Sequence, residues 1–227
     1  MDQFSTISQL FSSGEIGYGI LDTLIMVFVS TLIAYIIGIP LGLLLICTKK
    51  DGLFPNVIIN KIVGTIVNIG RTIPFIILLV ALIPFTRIVI GTSIGVRGMI
   101  VPLTIGAIQF VARLVEQSFE EVDHGLIEAS KCMGASNFTI ITKVYLRESL
   151  PSLIRGVSIT LILLIGYSSM SGSVGGGGLG DIAIRYGYYN FDTPTMLVII
   201  LILIVMVEII QITFDIIGKQ LDKSKRN

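Results

Sequence analysis

Charged residues are bunched in this sequence, and the intervals between the bunches are long and apolar. Several intervals reach about 20 residues, the length at which a helix crosses a hydrocarbon core of about 30 Å. Only 14% of the 227 residues are charged and the mean hydropathy is +0.91, whereas a soluble domain carries about a quarter charged residues. The pattern therefore predicts an all-α, polytopic membrane protein.

Turn residues and prolines divide the chain into five predicted transmembrane helices. Residues 1–16 form a short lead-in, residues 17–217 form the membrane region, and residues 218–227 form a basic tail. Gly38 and Gly42, in the first span, form a small-xxx-small pair that lets another helix approach closely. The spans are expected at about residues 19–47, 57–83, 99–115, 153–169 and 195–217.

Lysines and arginines are unevenly divided between the two sides that these spans create. Three of them, Arg87, Arg97 and Arg185, fall on one side, and Arg71 lies within a span. The positive-inside rule places the richer side in the cytoplasm, so the N-terminus is expected outside and the C-terminus inside. The richer side carries twelve: Lys49, Lys50, Lys61, Arg113, Lys131, Lys143, Arg147, Arg155, Lys219, Lys223, Lys225 and Arg226.

Residues 116–151 hold the longest polar passage of the chain, and they are predicted to form an exposed cytoplasmic loop. Apolar residues recur at helical spacing from about residue 115 to residue 132. Gly134 can end that helix, Asn137 can cap the next one, and Pro151 can open the following span. Because this loop is the most polar element between membrane spans, we expect it to bind a partner.

The motif NIGRTIP at residues 68–74 places Arg71 inside the second span. A cation at that depth is costly, so it either faces a partner or a wet cavity, or its side chain extends towards the inner surface. Glu208, in the last span, is a candidate partner for an intramembrane ion pair, because the two residues are about equally far from the outer surface by residue count. The sequence leaves both alternatives open.

A Gly-rich segment, SSMSGSVGGGGLGD, follows the fourth span at residues 168–181. Gly175, Gly177 and Gly180 match the spacing G-x-G-x-x-G, but a transmembrane helix precedes them and no βαβ unit surrounds them. A dinucleotide site is therefore excluded. A flexible, closely packed backbone at the mouth of a pathway is the better interpretation.

Met170 lies where the fourth span meets the Gly-rich segment, and serines flank it. A flexible thioether side chain can plug a narrow apolar path. We therefore expect Met170, with Tyr167 and Ser168, to act as gate or pathway residues. The alternative is a methionine that faces lipid or fills space between helices.

The sequence contains no catalytic, cofactor or metal signature. His124 is the single histidine, and no cysteine cluster accompanies it. No phosphate-binding loop of the form G-x-x-x-x-G-K-[ST] is present, so this chain is not expected to hydrolyse ATP itself. The net charge of +1 gives no indication of nucleic-acid binding.

Glu128, Ala129, Ser130 and Gly134 resemble, position by position, the cytoplasmic EAA loop of bacterial ATP-binding-cassette (ABC) importer permeases. Ser130 replaces the family's second alanine, and the Leu-Pro pair that usually follows comes only at residues 150–151. Longer segments such as NIGRTIPFIILLVALIPFTRIVIGTSIGVRG and GYSSMSGSVGGGGLGDIAIRYGY resemble the methionine-uptake branch of that superfamily. The resemblance covers nearly the whole chain.

The resemblance implies a type I ABC importer transmembrane domain that carries methionine, with D-methionine and analogues, across the bacterial cytoplasmic membrane. In this family the loop forms a coupling helix that docks into a cleft on an ATPase subunit. Glu128, Ala129, Ser130 and Gly134 would take that role here; alternatively, Glu128 only caps or solvates the helix. The implied partners are a second copy of the permease, two ATPase subunits that bind ATP and Mg, an extracytoplasmic substrate-binding lipoprotein, and membrane lipid.

Other functions stay open on the sequence alone. The chain is a permease for another small amino acid, or it is an ATP-independent channel or secondary carrier, which would need paired or repeated intramembrane ion sites. A membrane scaffold without transport explains neither the Gly-rich segment nor the long polar loop. Copurification of an ATPase would separate the importer from the other classes.

Overall fold

The computed structural model describes residues 3–221, and within that range the chain is helical and has no strand. Four helical stretches are long and apolar enough to cross a membrane, and a bent pair of helices, Val57–Thr72 and Phe75–Ala81, counts as a fifth. The all-α class with five spans is confirmed on that count. In chain order the α-helices are α1 (Gln3–Ser12), α2 (Glu15–Cys47), α3 (Val57–Thr72), α4 (Phe75–Ala81), α5 (Ile83–Ile90), α6 (Gly95–Glu120), α7 (His124–Cys132), α8 (Asn137–Thr139), α9 (Leu146–Glu148), α10 (Leu150–Ser171), α11 (Gly178–Ile182) and α12 (Thr193–Leu221).

Three short segments of other helix types complete the chain. A π-helix spans Ile140–Tyr145 in the polar loop, and a second spans Ala183–Tyr189 after the Gly-rich segment. A 3₁₀ turn, Gly172–Val174, continues α10. Both π-helices lie outside the long spans, and such segments are frequent at functional sites. Residues 222–227 of the predicted basic tail lie outside the described residues.

The helix bounds differ from the predicted spans in and around the second and third spans. The second span is interrupted between α3 and α4, because Pro74 lacks the N–H that would continue the helical hydrogen bonds. The connection left between the second and third predicted spans is largely helical, since α5 extends to Ile90 and ends where Gly91 adopts a φ of 85°. The third span, predicted at residues 99–115, is the longer helix α6.

The described chain divides into two compact units, and each of the four long helices contributes residues to both. The first unit comprises the residues up to Ile33, Ile73–Ala107 and Leu161–Gln211. The second unit comprises Ala34–Thr72, Ile108–Thr160 and the residues from Ile212 onward. The main buried cluster of the first unit consists of Leu10, Ile16, Leu179, Ile182, Ile199 and Met206. A buried cluster of the second unit consists of Leu45, Val67 and Ala112.

The small-residue pair predicted in α2 lies at a close helix contact within the second unit. A Cβ atom added at Gly38 would lie 2.5 Å from Val111 Cγ1, and one added at Gly42 would lie 2.6 Å from Val115 Cβ. Both distances are shorter than any normal carbon–carbon contact. The two glycines therefore let α2 approach α6 closely, as the sequence predicts.

A buried carboxylate ties α6 to the end of α2. The side chain of Glu116 is 6% exposed, and it lies 3.0 Å from Lys49 Nζ and in direct contact with Arg113 Nη1. Arg113 also donates hydrogen bonds to Asn68 Oδ1 at 2.8 Å and to the Gly64 carbonyl at 3.2 Å, both on α3. One carboxylate therefore organises contacts among α2, α3 and α6 at the base of the polar loop.

We expect Glu116→Gln to lower the free energy of unfolding by about 1–2 kcal/mol. The substitution removes the buried anion that Arg113 and Lys49 share, although Lys49 keeps Glu120 as a second partner. This second pair and the partial exposure of both cations reduce the cost below that of a fully buried pair. Unfolding in detergent can be followed with a thiol-reactive dye in a chain that carries Cys132→Ser, because Cys132 is exposed whereas Cys47 is buried in the folded chain. Glu121→Gln is the matched control, since Glu121 is exposed; equal unfolding temperatures for both variants would contradict the prediction.

Candidate functional site

The predicted coupling segment forms a short helix, α7, whose outer face is polar and exposed. Asp123 caps this helix, and its carboxylate accepts a hydrogen bond from the Gly125 N–H at 2.7 Å. Glu128 and Ala129 are exposed, whereas Ile127 on the opposite face is buried. Ser130 is half-buried, and its hydroxyl donates a hydrogen bond to the Leu126 carbonyl. The helix therefore presents its carboxylate outward, free of intramolecular bonds within residues 3–221.

Gly134 ends α7 through a Schellman motif. Its φ is 77°, a value that glycine adopts without strain. The Gly134 N–H bonds the Lys131 carbonyl at 2.9 Å, and the Ala135 N–H bonds the Ser130 carbonyl at 3.0 Å, which is the bonding pattern of this helix end. The helix end predicted at Gly134 is confirmed.

The next helical turn starts one residue earlier than predicted. The cap is Ser136, not Asn137: the Ser136 hydroxyl oxygen accepts a hydrogen bond from the Thr139 N–H at 3.2 Å, and Asn137 is already the first helical residue. Ser and Asn are both good caps, so the sequence could not decide between them. The predicted continuous helix from residue 115 to residue 132 is also wrong, because α6 ends at Glu120 and α7 starts anew at His124.

The inner side of the polar loop rests on two aromatic side chains. Phe119 and Tyr145 pack edge to face, with ring centroids 5.7 Å apart. Burial raises the pKa of Tyr145, so its hydroxyl stays protonated at neutral pH. With Ile127 these rings line a pocket of about 310 Å³ behind α7. The loop is thus anchored from within while its outer surface stays free.

Two large apolar side chains on the loop are exposed, and neither is among the coupling residues predicted from the sequence. One of them, Phe138, also matches the EAA-loop pattern. Met133 is 80% exposed and Phe138 is 76% exposed. They lie on either side of the turn at Gly134. Exposed Met and Phe side chains in a loop are typical of protein interfaces. Their position beside turn residues in an otherwise polar stretch was the available signal.

The Gly-rich segment is packed tightly in the first unit. The Leu179 N–H donates a buried hydrogen bond to Thr23 Oγ1 at 2.9 Å. A Cβ atom added at Gly180 would lie 2.5 Å from the Ser169 carbonyl oxygen, and one added at Gly172 would strike the backbone of Gly180. The close packing predicted for this segment is confirmed, and it depends on residues without side chains.

Ion pairs hold the start of α2 to the chain that follows the Gly-rich segment. Arg185 Nη2 lies 2.8 Å from Glu15 Oε1 and 3.0 Å from Asp181 Oδ2. The Tyr186 hydroxyl donates to Glu15 Oε2 at 3.2 Å. Burial, together with the negative charge of Glu15, raises the pKa of Tyr186 and keeps this donor protonated. The cluster fixes one end of the Gly-rich segment.

The three predicted gate residues occupy one turn of α10. Ser168 is buried, and its hydroxyl donates to the Ile165 carbonyl at 2.8 Å. Tyr167 is half-buried and stacks on Phe75. Met170 is 50% exposed. Of the three, Met170 alone presents a large apolar side chain to the surroundings of the protomer.

Arg71 and Glu208 are both exposed in the protomer. Arg71 lies in the last turn of α3, and Glu208 lies in the middle of α12. Glu208 lines a shallow groove with the apolar residues Ile200, Leu203, Ile204 and Val207. The two residues belong to different units, and their pairing stays a prediction.

Residues 38–227 match the family described as binding-protein-dependent transport system inner membrane components. The chain belongs to this family. It is therefore an inner-membrane transport subunit, and the predicted ABC importer permease class is confirmed. Several proteins with established names are similar to this chain over most of its length.

The chain is 48% identical to the probable D-methionine transport system permease protein MetI of Vibrio cholerae. The match covers 96% of this chain and 98% of that protein. The chain is also 51% identical to the D-methionine transport system permease protein MetI of Escherichia coli K12, over 68% of this chain and 71% of that protein. A solved structure of the MetNI methionine ABC transporter, in an inward-facing conformation, matches with a TM-score of 0.91 and 46% identity. That match covers 92% of this chain and 97% of the other. The predicted importer fold is thus confirmed.

Proposed function

We propose that this chain is the permease subunit of an ATP-driven importer that moves methionine, with D-methionine and analogues, into the cytoplasm. The observation that carries the proposal is the 48% identity, over 96% of the chain, to a probable D-methionine permease. Because the identity extends over nearly the whole chain, few long segments remain that could form a transport pathway different from that of the relative. The exposed helix α7 supports the same function, because an importer permease needs a free surface for its ATPase.

The proposed assembly contains two copies of this chain and two ATPase subunits, which bind ATP and Mg. A substrate-binding lipoprotein delivers methionine from outside, and membrane lipid surrounds the spans. The distribution of lysine and arginine supports an N-terminus outside and a C-terminus inside. Rigid-body movement of the ATPase subunits then changes which side of the pathway is open.

In this proposal α7 is the coupling helix. Glu128, Ala129 and Ser130 face the cleft of the ATPase, and Gly134 provides the turn that lets the chain leave it. Met133 and Phe138 add exposed apolar area next to that surface. Residues that dominate the binding energy of an interface are commonly buried on docking and surrounded by apolar side chains. In the docked complex the Glu128 carboxylate would have such surroundings.

The experiment that tests the function is uptake of radiolabelled methionine by proteoliposomes. They contain this chain together with the ATPase and the substrate-binding lipoprotein of the proposed assembly, with and without enclosed ATP. We expect uptake that requires ATP and the binding protein and that unlabelled D-methionine reduces. Uptake without ATP would instead support a carrier. ATP-dependent uptake of a different amino acid would change the substrate and keep the mechanism.

Met170 is the proposed gate, with Tyr167 and Ser168 beside it. We expect Met170→Ala to raise ATP hydrolysis in the absence of substrate, or passive leak of methionine, severalfold. The shortened side chain leaves the path unplugged. Met170→Leu is the control, because it retains apolar volume and should stay close to the natural protein. Unchanged hydrolysis and unchanged leak in Met170→Ala would remove the proposal.

Arg71 and Glu208 are proposed to form an intramembrane ion pair. A double-mutant cycle tests this, because removing both charges should cost less uptake than the sum of the two single losses. We therefore expect Arg71→Ala combined with Glu208→Ala to retain more methionine uptake than additivity allows. Additive losses would show that the two charges act separately.

A further inference from the structure

Phe75 is a buried aromatic residue at the start of α4, directly after the helix break at Pro74. Its side chain is 5% exposed. Its ring lies parallel to that of Tyr167, with centroids 4.2 Å apart and an interplanar angle of 4°. Both residues belong to the first unit. The stack therefore joins α4 to the turn of α10 that carries the proposed gate.

A glycine on α6 makes room for this ring. A Cβ atom added at Gly106 would lie 3.3 Å from Phe75 Cδ2 and 3.5 Å from Phe75 Cε2. A side chain at residue 106 would press on the ring at the 3.3 Å contact, so the glycine leaves the Phe75 ring the space it occupies beside α6. The ring is held between α6 on one side and α10 on the other.

The position of α4 depends on packing rather than on its helix ends. Pro74 caps the helix with no side-chain hydrogen bond, and proline lacks the N–H that would extend a preceding helix. The helix has only seven residues, which is too short to be stable by itself. The Phe75–Tyr167 stack is thus one of the contacts that place α4 against α10.

Tyr167 and Met170 lie three residues apart on α10, so they share one face of that helix. When stacking fixes the Tyr167 ring, this turn of α10 keeps one orientation about the helix axis. That orientation determines where the Met170 side chain projects. Tyr167 thereby connects the buried stack to the exposed methionine.

We propose that Phe75 is a positioning residue for the gate: by stacking on Tyr167 it sets the direction of Met170 and so the closure of the pathway. The inference rests on the proposed gate function of Met170. Phe75 acts through Tyr167 and does not itself contact substrate. Parallel aromatic pairs contribute modestly beyond their buried area, so loss of the stack should change gate closure by about three- to tenfold.

The first test uses the complete transporter in proteoliposomes. Phe75→Leu removes the ring but retains apolar volume, and Phe75→Tyr retains the ring. We expect Phe75→Leu to lower the number of methionine molecules carried per ATP by about three- to tenfold, and Phe75→Tyr to stay near the natural ratio. Leu79→Met, a buried position one turn along α4, controls for general effects of altering this helix. Equal ratios for Phe75→Leu and Leu79→Met would overturn the inference.

A second readout measures the position of residue 170 directly. In a chain that carries Met170→Cys and Cys132→Ser, we expect Phe75→Leu to speed the reaction of residue 170 with an impermeant thiol reagent by about three- to tenfold. Tyr167→Leu should give the same increase, and combining the two should add little. An unchanged rate in Phe75→Leu contradicts the positioning role.

The two readouts separate this inference from the gate proposal. If Met170→Ala changes neither leak nor uncoupled hydrolysis, the gate proposal fails, and with it the functional meaning of the stack. If Met170→Ala has the expected effect but Phe75→Leu changes neither the transport ratio nor the labelling rate, only the inference about Phe75 fails.

Discussion

Gly180→Ala is expected to leave almost no folded protein in the membrane. The new methyl group would lie 2.5 Å from the Ser169 carbonyl oxygen and 2.6 Å from the Ser169 Cα atom. Both are backbone atoms, so no side-chain rotation can relieve the overlap. Overpacking of a buried position costs about 3 kcal/mol or more when neighbours cannot move, a large part of the stability of a typical protein.

The measurement is the amount of monodisperse protein after detergent extraction, together with methionine uptake. Gly17→Ala is the matched control, because a Cβ atom at Gly17 meets nothing within 4 Å and alanine favours the helix in which it lies. If Gly180→Ala gave as much monodisperse protein as the unsubstituted chain, the Gly-rich segment would not be packed against the end of α10 as described.

Glu128→Arg is expected to lower ATP-dependent methionine uptake at least about tenfold while leaving the fold intact. Glu128 is exposed on α7 and forms no hydrogen bond or ion pair with the residues described, so its replacement removes no internal contact. At a docked surface, reversed charge replaces attraction with repulsion, and one such residue commonly accounts for a tenfold change in affinity or more.

Copurification of the ATPase and the thermal unfolding temperature are the two measurements for this variant. Glu148→Arg is the control, because Glu148 is an exposed carboxylate on α9 of the same loop. We expect Glu148→Arg to retain both the ATPase and uptake. Equal effects of the two substitutions would indicate a general effect of loop charge and would contradict a specific role for Glu128.

Local patterns predicted the helical architecture well. Uncharged apolar runs set the number of spans, and the pair Gly38 and Gly42 indicated a close helix contact that the structure contains. The turn at Gly134 was also predicted, because a left-handed backbone conformation after a helix strongly favours glycine. These features depend on residues that are near one another in sequence.

Contacts between distant segments could not be predicted from the sequence. Nothing in the sequence joins Phe75 to Tyr167, or Lys49 to Glu116, because each pair meets only after the helices pack. Pro74 stands inside the second predicted span, but the separate short helix that follows it depends on tertiary packing. The coupling assignment came from resemblance, since exposure on a partner-facing surface leaves no periodic pattern. The gate assignment came from the position and the flexible side chain of Met170 at the end of the fourth predicted span.

The turn at Gly134 has one more consequence. A Cβ atom placed there would meet nothing within 4 Å, so the requirement for glycine comes from the backbone angle and not from crowding. The turn that ends the proposed coupling helix thus depends on the backbone conformation of one residue. If α7 is the coupling helix, as proposed, side chains on its outer face can be exchanged to suit a different ATPase without altering the turn at Gly134.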